Sequence, residues 1–150
     1  MSTGPVTIRL MKPEDYSSVV EIDAKVLKAV RPEYYRVKFE KILGSTDSLP
    51  ISLVAESEEG EVVGFVMGEL YMGEYGIFRE EATLDTIGVD PNCQQGGVGH
   101  QLIDEFVDHL KKLGVKKINT LVAVDDSKLT RFFHINRFAP SRTINLERNL

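Results

Sequence analysis

The chain has 150 residues, 42% hydrophobic and 27% charged, enough for one compact domain, residues 1–150, and too few for two ordinary ones. Its 18 lysines and arginines against 23 acids leave a formal charge of −5, the wrong sign for a surface that binds phosphate backbones or anionic lipid, so no nucleic acid or membrane partner is expected. Cys93 is the single thiol, which excludes an internal disulfide and multi-cysteine zinc or CxxC redox chemistry and fits a cytoplasmic protein.

Met1 to Pro5 carries no basic segment followed by an apolar run, and no stretch approaches the ~20 apolar residues of a membrane span. Val6-Thr7-Ile8-Arg9-Leu10 alternates apolar and polar, which predicts a half-buried strand, and Lys12-Pro13-Glu14-Asp15 then suits a helix's first turn. Tyr16, Val19, Val20, Asp23, Val26, Leu27 and Val30 form a largely apolar stripe that Arg31-Pro32 interrupts. A second helix is predicted from Pro32 to Leu43, with Gly44 where a left-handed cap would stand and a loop from Ser45 to Pro50. Ile51 to Glu56 and Glu61 to Met72 read as an antiparallel hairpin turning at Ser57-Glu58-Glu59-Gly60. Gly64 and Gly68 in its second strand mark either a bulge or close approach of another group, or simple bends.

After a loop from Gly73 to Arg79, Glu81 to Val89 is a strand that Asp90-Pro91 ends. Val98 to Leu113 has the strongest helical period, and Gly114 follows as its C-terminal cap. Lys117 to Val124 is a further strand, so residues 81–124 predict two parallel strands joined by a helical crossover. Ser127 to Ile135 reads as a short helix with Ser127 or Asp126 as its cap, and Arg142 to Arg148 as a closing strand. The fold class is α/β of the α+β type, with a mixed, mostly antiparallel central sheet and helices on both faces.

Gln94-Gln95-Gly96-Gly97-Val98-Gly99 lies between a strand and a helix. Glycines there let backbone N–H groups converge on an anion at a positive helix end, although glycine serves a sharp structural turn equally well. A P-loop is excluded because His100-Gln101 follows Gly99, and a dinucleotide fingerprint because Leu102 stands at its third glycine. What remains is Q-x-x-G-x-G after Thr86-Ile87-Gly88-Val89-Asp90-Pro91. That motif resembles the signature of the GCN5-related N-acetyltransferase (GNAT) superfamily, [RQ]-x-x-G-x-[GA] after a strand ending in V-x-P. The order of elements resembles that family over nearly the whole chain, and Leu129 to Phe138 is similar to its A-x-x-[FL]-Y-x-x-x-G-F segment.

The resemblance implies a GNAT-like acyl-CoA N-acyltransferase fold and an acetyl-CoA-dependent N-acetyltransferase. Its acceptor is a primary amine of a small molecule or of a protein or peptide. Gln94, Gln95, Gly96, Gly97, Val98 and Gly99 are then expected to contact the pyrophosphate, and Ile87, Gly88 and Val89 the pantetheine arm, with Asp126 and Phe133 also at the cofactor. No metal is expected. Two-residue alternation puts Glu81, Thr83 and Asp85 on one face, continued by Ile87 and Val89 toward the glycine loop. Glu81 and Asp85 are the candidate general bases, Asp85 foremost because an acid inside a buried strand needs a reason to be there. The other reading of both is a solvated or ion-paired charge.

Three positions depart from the family's pattern. Phe133 stands where most members carry a proton-donating tyrosine, Asp126 where an asparagine is frequent, and Arg137 replaces the usual glycine before Phe138. Phe133 motivates the alternative function, a non-catalytic acyl-CoA-binding regulatory or interaction module. Tyr71, Tyr75 and Phe78 could line an acceptor pocket, and Glu69, Glu74, Glu80 and Glu81 would favour a cationic acceptor. Cys93, His100, His109 and His134 read as incidental, and a homodimer is the default assembly for such a family.

Overall fold

The computed structural model describes residues 4–44, 50–70 and 80–150, and the chain divides after Thr120 into two compact units. The first unit holds a five-stranded sheet whose strand order follows the sequence. These strands are β1 (Val6–Leu10), β2 (Leu53–Ser57), β3 (Val62–Glu69), β4 (Glu81–Val89) and β5 (Lys117–Asn119). The first four pair antiparallel, and β5 joins β4 in parallel across the crossover helix α3 (Val98–Lys112). The expected α+β architecture with a mixed, mostly antiparallel sheet is thus formed.

One face of the sheet is covered by α1 (Tyr16–Leu27) and α2 (Pro32–Leu43). Their Val19, Ile22, Tyr35, Phe39 and Ile42 close over Val54, Phe65 and Met67 of the strands. The opposite face is covered by α3. A Cβ at Gly64 would lie 3.1 Å from Val98 and Leu102, and one at Gly68 would lie 2.7 Å from the Phe106 ring. Gly68 therefore lets a helix pack hard against a strand, the close-approach reading of the two glycines in β3.

Charged residues enter this core only with partners. Asp23 of α1, which interrupts an apolar stripe, accepts hydrogen bonds from Arg31 Nη2 at 2.7 Å and from the Tyr35 hydroxyl at 2.8 Å. Burial pushes the Tyr35 hydroxyl well above its ordinary value. Asp15 receives a two-pronged Arg9 guanidinium at 2.9 Å and the Lys12 N–H at 2.8 Å. Burial acts to raise the Asp15 carboxyl, but these hydrogen bonds outweigh it and hold the group below the usual carboxylate value.

Several boundaries differ from the sequence reading. Lys28 in a left-handed conformation (φ 57°) ends α1 before Val30; Val26, Leu27 and Val30 are exposed, while Ile22, outside the expected stripe, is buried. Gly44 keeps a right-handed conformation (φ −93°) because its N–H still donates to Glu40 O. The strand expected to reach Val124 ends at Asn119, where Thr120 Oγ1 donates to Leu84 O at 2.9 Å and stops the ladder. The expected loops at 45–49 and 73–79, and the end of the strand expected to reach Met72, lie outside the described residues.

The second unit contains α4 (Ser127–Ile135), whose cap is Asp126: its carboxylate accepts from the Leu129 N–H at 3.0 Å. Phe133 packs against Phe132 and Phe138, with ring centroids 5.5 and 5.0 Å apart. Arg137 adopts φ 72°, the left-handed conformation that glycine takes without strain. The expected closing strand Arg142 to Arg148 is not formed. Ile144 and Leu146 alternate as a strand would, but α4 is the one regular element described in this unit and supplies no ladder, so both stay above 80% exposed.

Candidate functional site

The centre of the site is an irregularity in β4. Met67 opposes Thr86 and Gly68 opposes Leu84, so Asp85 is an extra residue without a partner on β3. Such a bulge re-aims side chains and breaks the strict alternation of faces. Asp85 turns to the α1–α2 side, where its carboxylate meets the Lys38 ammonium of α2. Gly88, three residues on, also faces that side: a Cβ there would lie 2.7 Å from Phe65 and 3.6 Å from Ile22. Ile87 and Val89 therefore do not continue the face of Glu81, Thr83 and Asp85, as simple alternation had it. Val89 opposes Gly64, whose Cβ direction points to α3.

The two candidate bases stand in different surroundings. Glu81 is 53% exposed and paired with Lys117 at 3.2 Å, a solvated cross-strand pair. The Asp85 side chain is 21% exposed, and its Oδ2 is buried without a directed hydrogen bond beyond the lysine contact. Glu69, at the end of β3, repeats the arrangement. Its Oε1 is likewise buried without a hydrogen bond and faces Lys41 Nζ at 3.4 Å. Two shielded carboxylates on neighbouring strands thus face two lysines one helical turn apart on α2. Burial acts against the charge of Lys38, yet contact with Asp85 outweighs it and keeps the ammonium above the ordinary lysine value. Sequence reasoning placed Glu69 among acids that attract a cation but missed Lys38 and Lys41. Their spacing in Lys38-Phe39-Glu40-Lys41 was the available signal, but nothing local names their partners.

Among the described residues, no strand pairs with the β5 side of β4 from Asp85 onward, which leaves that edge open to an added strand. The ladder with β5 covers Glu81 to Thr83, and the Thr120–Leu84 contact is the last link described. Asp90 N donates to Val63 O, so Asp90 and Gly88 direct backbone groups toward β3, while Ile87 and Val89 direct theirs to the open side. The Val89 carbonyl is already taken by Gln94 Nε2 at 3.1 Å. Gln94 thus spends its side chain tying the loop to β4, and the Ile87 backbone is the better candidate for an added strand-like ligand.

The loop is a 3-10 turn, Pro91–Gly96, capped by Asp90, which accepts from Asn92 N and is paired with Lys25 at 3.0 Å. Burial raises the Asp90 carboxyl, but the Asn92 N–H and Lys25 outweigh it and the net shift is downward. Gly97 follows in a left-handed conformation (φ 78°) and starts α3 with no side-chain cap. The first N–H groups of a helix have no carbonyl of their own helix to donate to, and a Cβ at Gly97 would meet nothing within 4 Å. The cradle is therefore open in front of Gly97 and fits an anionic group such as a pyrophosphate. Gly96 is exposed, Val98 and Gly99 are buried behind the turn, and the Gln95 side chain lies outside the described residues.

Of the remaining expected site residues, Gly88 is turned into the core, and Asp126 and Phe133 belong to the second unit with the local roles given above. Tyr71, Glu74, Tyr75 and Phe78 lie outside the described residues. Among the described residues no three His, Cys, Asp or Glu side chains are grouped to hold a metal ion, and no helix is long and apolar enough to cross a membrane.

Comparison with known proteins bears on the family and the fold. The family model "Acetyltransferase (GNAT) family" matches residues 16–136. The Bacillus subtilis (strain 168) protein named "Putative phosphinothricin acetyltransferase YwnH" is 26% identical over 140 residues, covering 89% of this chain and 84% of that one. The aminoglycoside N-acetyltransferase AAC(6')-Iy, solved in complex with CoA, superposes with a TM-score of 0.76 at 17% identity, covering 97% of this chain and 95% of that one. The ribosomal-protein-S18-alanine N-acetyltransferase of Escherichia coli superposes with a TM-score of 0.73 at 20% identity, covering 91% and 79%.

Proposed function

The chain belongs to the GNAT acetyltransferase family, matched from residue 16 to residue 136, and on that premise we propose that it is an N-acetyltransferase moving acetyl from acetyl-CoA to a primary amine. The observation that carries the reading is the juxtaposition on β4 of a shielded carboxylate, Asp85, with the start of the strand's open edge, which leads to the glycine loop.

Every chemical need but protonation of the departing thiolate has a candidate residue. The backbone N–H groups of Gly96 to Gly99 and the start of α3 would hold the pyrophosphate by charge-assisted hydrogen bonds, with Gln94 and Gln95 framing the turn. Ile87, and the N–H of Val89, would pair with the amide-bearing arm as an added strand does. Gly88 supports that strand from the core. When bound, acetyl-CoA supplies an activated thioester carbonyl. Asp85 accepts the proton of the incoming ammonium and leaves the neutral amine that acyl transfer needs. Glu81, exposed and held by Lys117, is the weaker candidate and would act through solvent. The acceptor is cationic, matching Asp85 and Glu69; the amine belongs to a small molecule or to a protein or peptide, as in the two enzymes compared above. The chain is proposed to work as one domain, in the cytoplasm and as a homodimer, without nucleic acid, membrane or metal.

Phe133 favours a second reading, an acyl-CoA-binding module without turnover, because phenylalanine has no proton to give a departing thiolate. Thiol release from acetyl-CoA over a panel of polyamines, aminoglycosides, amino acids and peptides separates the two. The enzymatic reading expects turnover, with kcat lowered tenfold or more by Asp85→Asn, about 1.4 kcal/mol of barrier, and less by Glu81→Gln. Turnover unchanged by Asp85→Asn overturns the base assignment, and binding without turnover favours the module.

A further inference from the structure

We propose that Lys38 is a self-acetylation site, at which the chain transfers the acetyl group of acetyl-CoA to its own Lys38 Nζ with Asp85 as proton acceptor. The inference rests on the reading of Asp85 as the acceptor-amine base. If the carboxylate of Asp85 is where an acceptor amine loses its proton, an amine already seated on it stands in the acceptor's place. Lys38 is that amine. Its Nζ is in contact with Asp85 Oδ2, its side chain is 19% exposed, and the Tyr34 ring lies 5.4 Å from Nζ. Neither a solvent-facing lysine nor a buried aliphatic side chain offers this combination. Lys41, one helical turn away, is held by Glu69 instead.

The step balances. The ammonium of Lys38 gives one proton to Asp85, and the neutral Nζ forms an N–C bond to the thioester carbonyl carbon. The C–S bond breaks, Nζ gives up its second proton to solvent as the amide forms, and the CoA thiolate takes a proton from solvent. The products are Nζ-acetyl-Lys38 and CoA, with no change of oxidation state. The product amide no longer pairs with Asp85, so the modified chain presents a carboxylate free to receive an external amine. The groups facing Nζ are Asp85 from β4, Glu69 from β3, and Tyr34 from its own helix. All three favour the ammonium, so the reaction is slow near neutrality and faster as pH approaches the lysine range.

The test uses the full chain with carbon-13-acetyl-CoA and no added amine, reading label at each lysine by peptide mass spectrometry at neutral and alkaline pH. Acetyl-CoA binding is followed in parallel by thermal shift, and Lys38 titration in the free protein by side-chain nitrogen NMR. The expected result is label at Lys38 at least tenfold above that at Lys111 and Lys112, at a rate independent of protein dilution and higher at alkaline pH. Asp85→Asn should abolish it while leaving the thermal shift, and should lower the Lys38 titration midpoint. Lys38→Arg should remove the label without transferring it to Lys41. Binding with Lys38 labelled no faster than Lys111 and Lys112, or labelling that Asp85→Asn leaves intact, overturns this proposal alone. Absence of any thermal shift with acetyl-CoA overturns the proposed function and this inference with it.

Discussion

Gly97 and Gly114 bracket α3 and form a matched pair of probes. Both hold left-handed conformations, φ 78° and 85°, and a Cβ at either would meet nothing within 4 Å. Alanine at either position therefore carries the same penalty, that of an L residue forced into the left-handed region, about 1–2 kcal/mol, with no added clash. In a domain of this size each kcal/mol lowers the melting temperature by about 2–4 °C. Both Gly97→Ala and Gly114→Ala should thus melt about 2–8 °C below the parent chain. Binding should separate them. The methyl of Gly97→Ala enters open space at the start of α3, where the pyrophosphate is proposed to sit. Loss of one charge-assisted hydrogen bond costs about 1.5–3 kcal/mol, tenfold or more in Kd. Gly114→Ala, at the far end of the helix, should bind as the parent does. Calorimetric titration with acetyl-CoA, beside thermal melts of the same samples, reads both quantities. Equal affinities in the two variants would refute the placement of the anion site at Gly97.

Four further outcomes follow from the packing and the charges. Gly68→Ala sets a methyl 2.7 Å from both the Phe106 ring and the Thr83 carbonyl, so thermal melts should show a loss of about 1–3 kcal/mol; an unchanged melting temperature would mean that α3 does not press on β3 there. Arg31→Ala leaves the buried Asp23 carboxylate with the Tyr35 hydroxyl but without its cation, and urea titration should show a loss of about 1–3 kcal/mol. Arg137→Gly relieves a left-handed arginine and should stabilise by about 1 kcal/mol, a rise of about 2–4 °C. Asp15 has a lowered folded-state value, so its contribution is complete above the unfolded carboxylate pKa of about 3.9 and is lost as pH falls through the folded value. Melts from pH 7 to 2 should lose stability below about pH 4, and Arg9→Gln should flatten that fall.

Local pattern carried much of the fold. The 3.6-residue periods of Pro32 to Leu43, Val98 to Leu113 and Ser127 to Ile135, with proline, glycine and aspartate at their ends, each correspond to a helix within a residue. Pairing carried less, because it depends on partners far along the chain. Ile144 and Leu146 alternate as cleanly as Val6 to Leu10 do, yet among the described elements the latter segment alone is paired in a ladder. The glycine loop was legible because its chemistry is backbone chemistry and the sequence writes it as missing side chains. The faces of Ile87 and Val89 were not, since one inserted residue at Asp85 reverses the alternation beyond it and nothing in Leu84-Asp85-Thr86 marks the insertion. Lys38 and Lys41 became part of the site only when α2 was laid across β3 and β4, a tertiary fact invisible in either segment alone.

Thermal unfolding with acetyl-CoA, CoA, ATP and NAD, each at about a hundred times a micromolar Kd, tests the central claim most directly. Occupancy at that ratio adds about 2.7 kcal/mol, a rise of several degrees for this domain. The account predicts that rise with acetyl-CoA and CoA and none with ATP or NAD. No rise with either CoA species would contradict it and leave the Gly96 to Gly99 turn a structural feature alone.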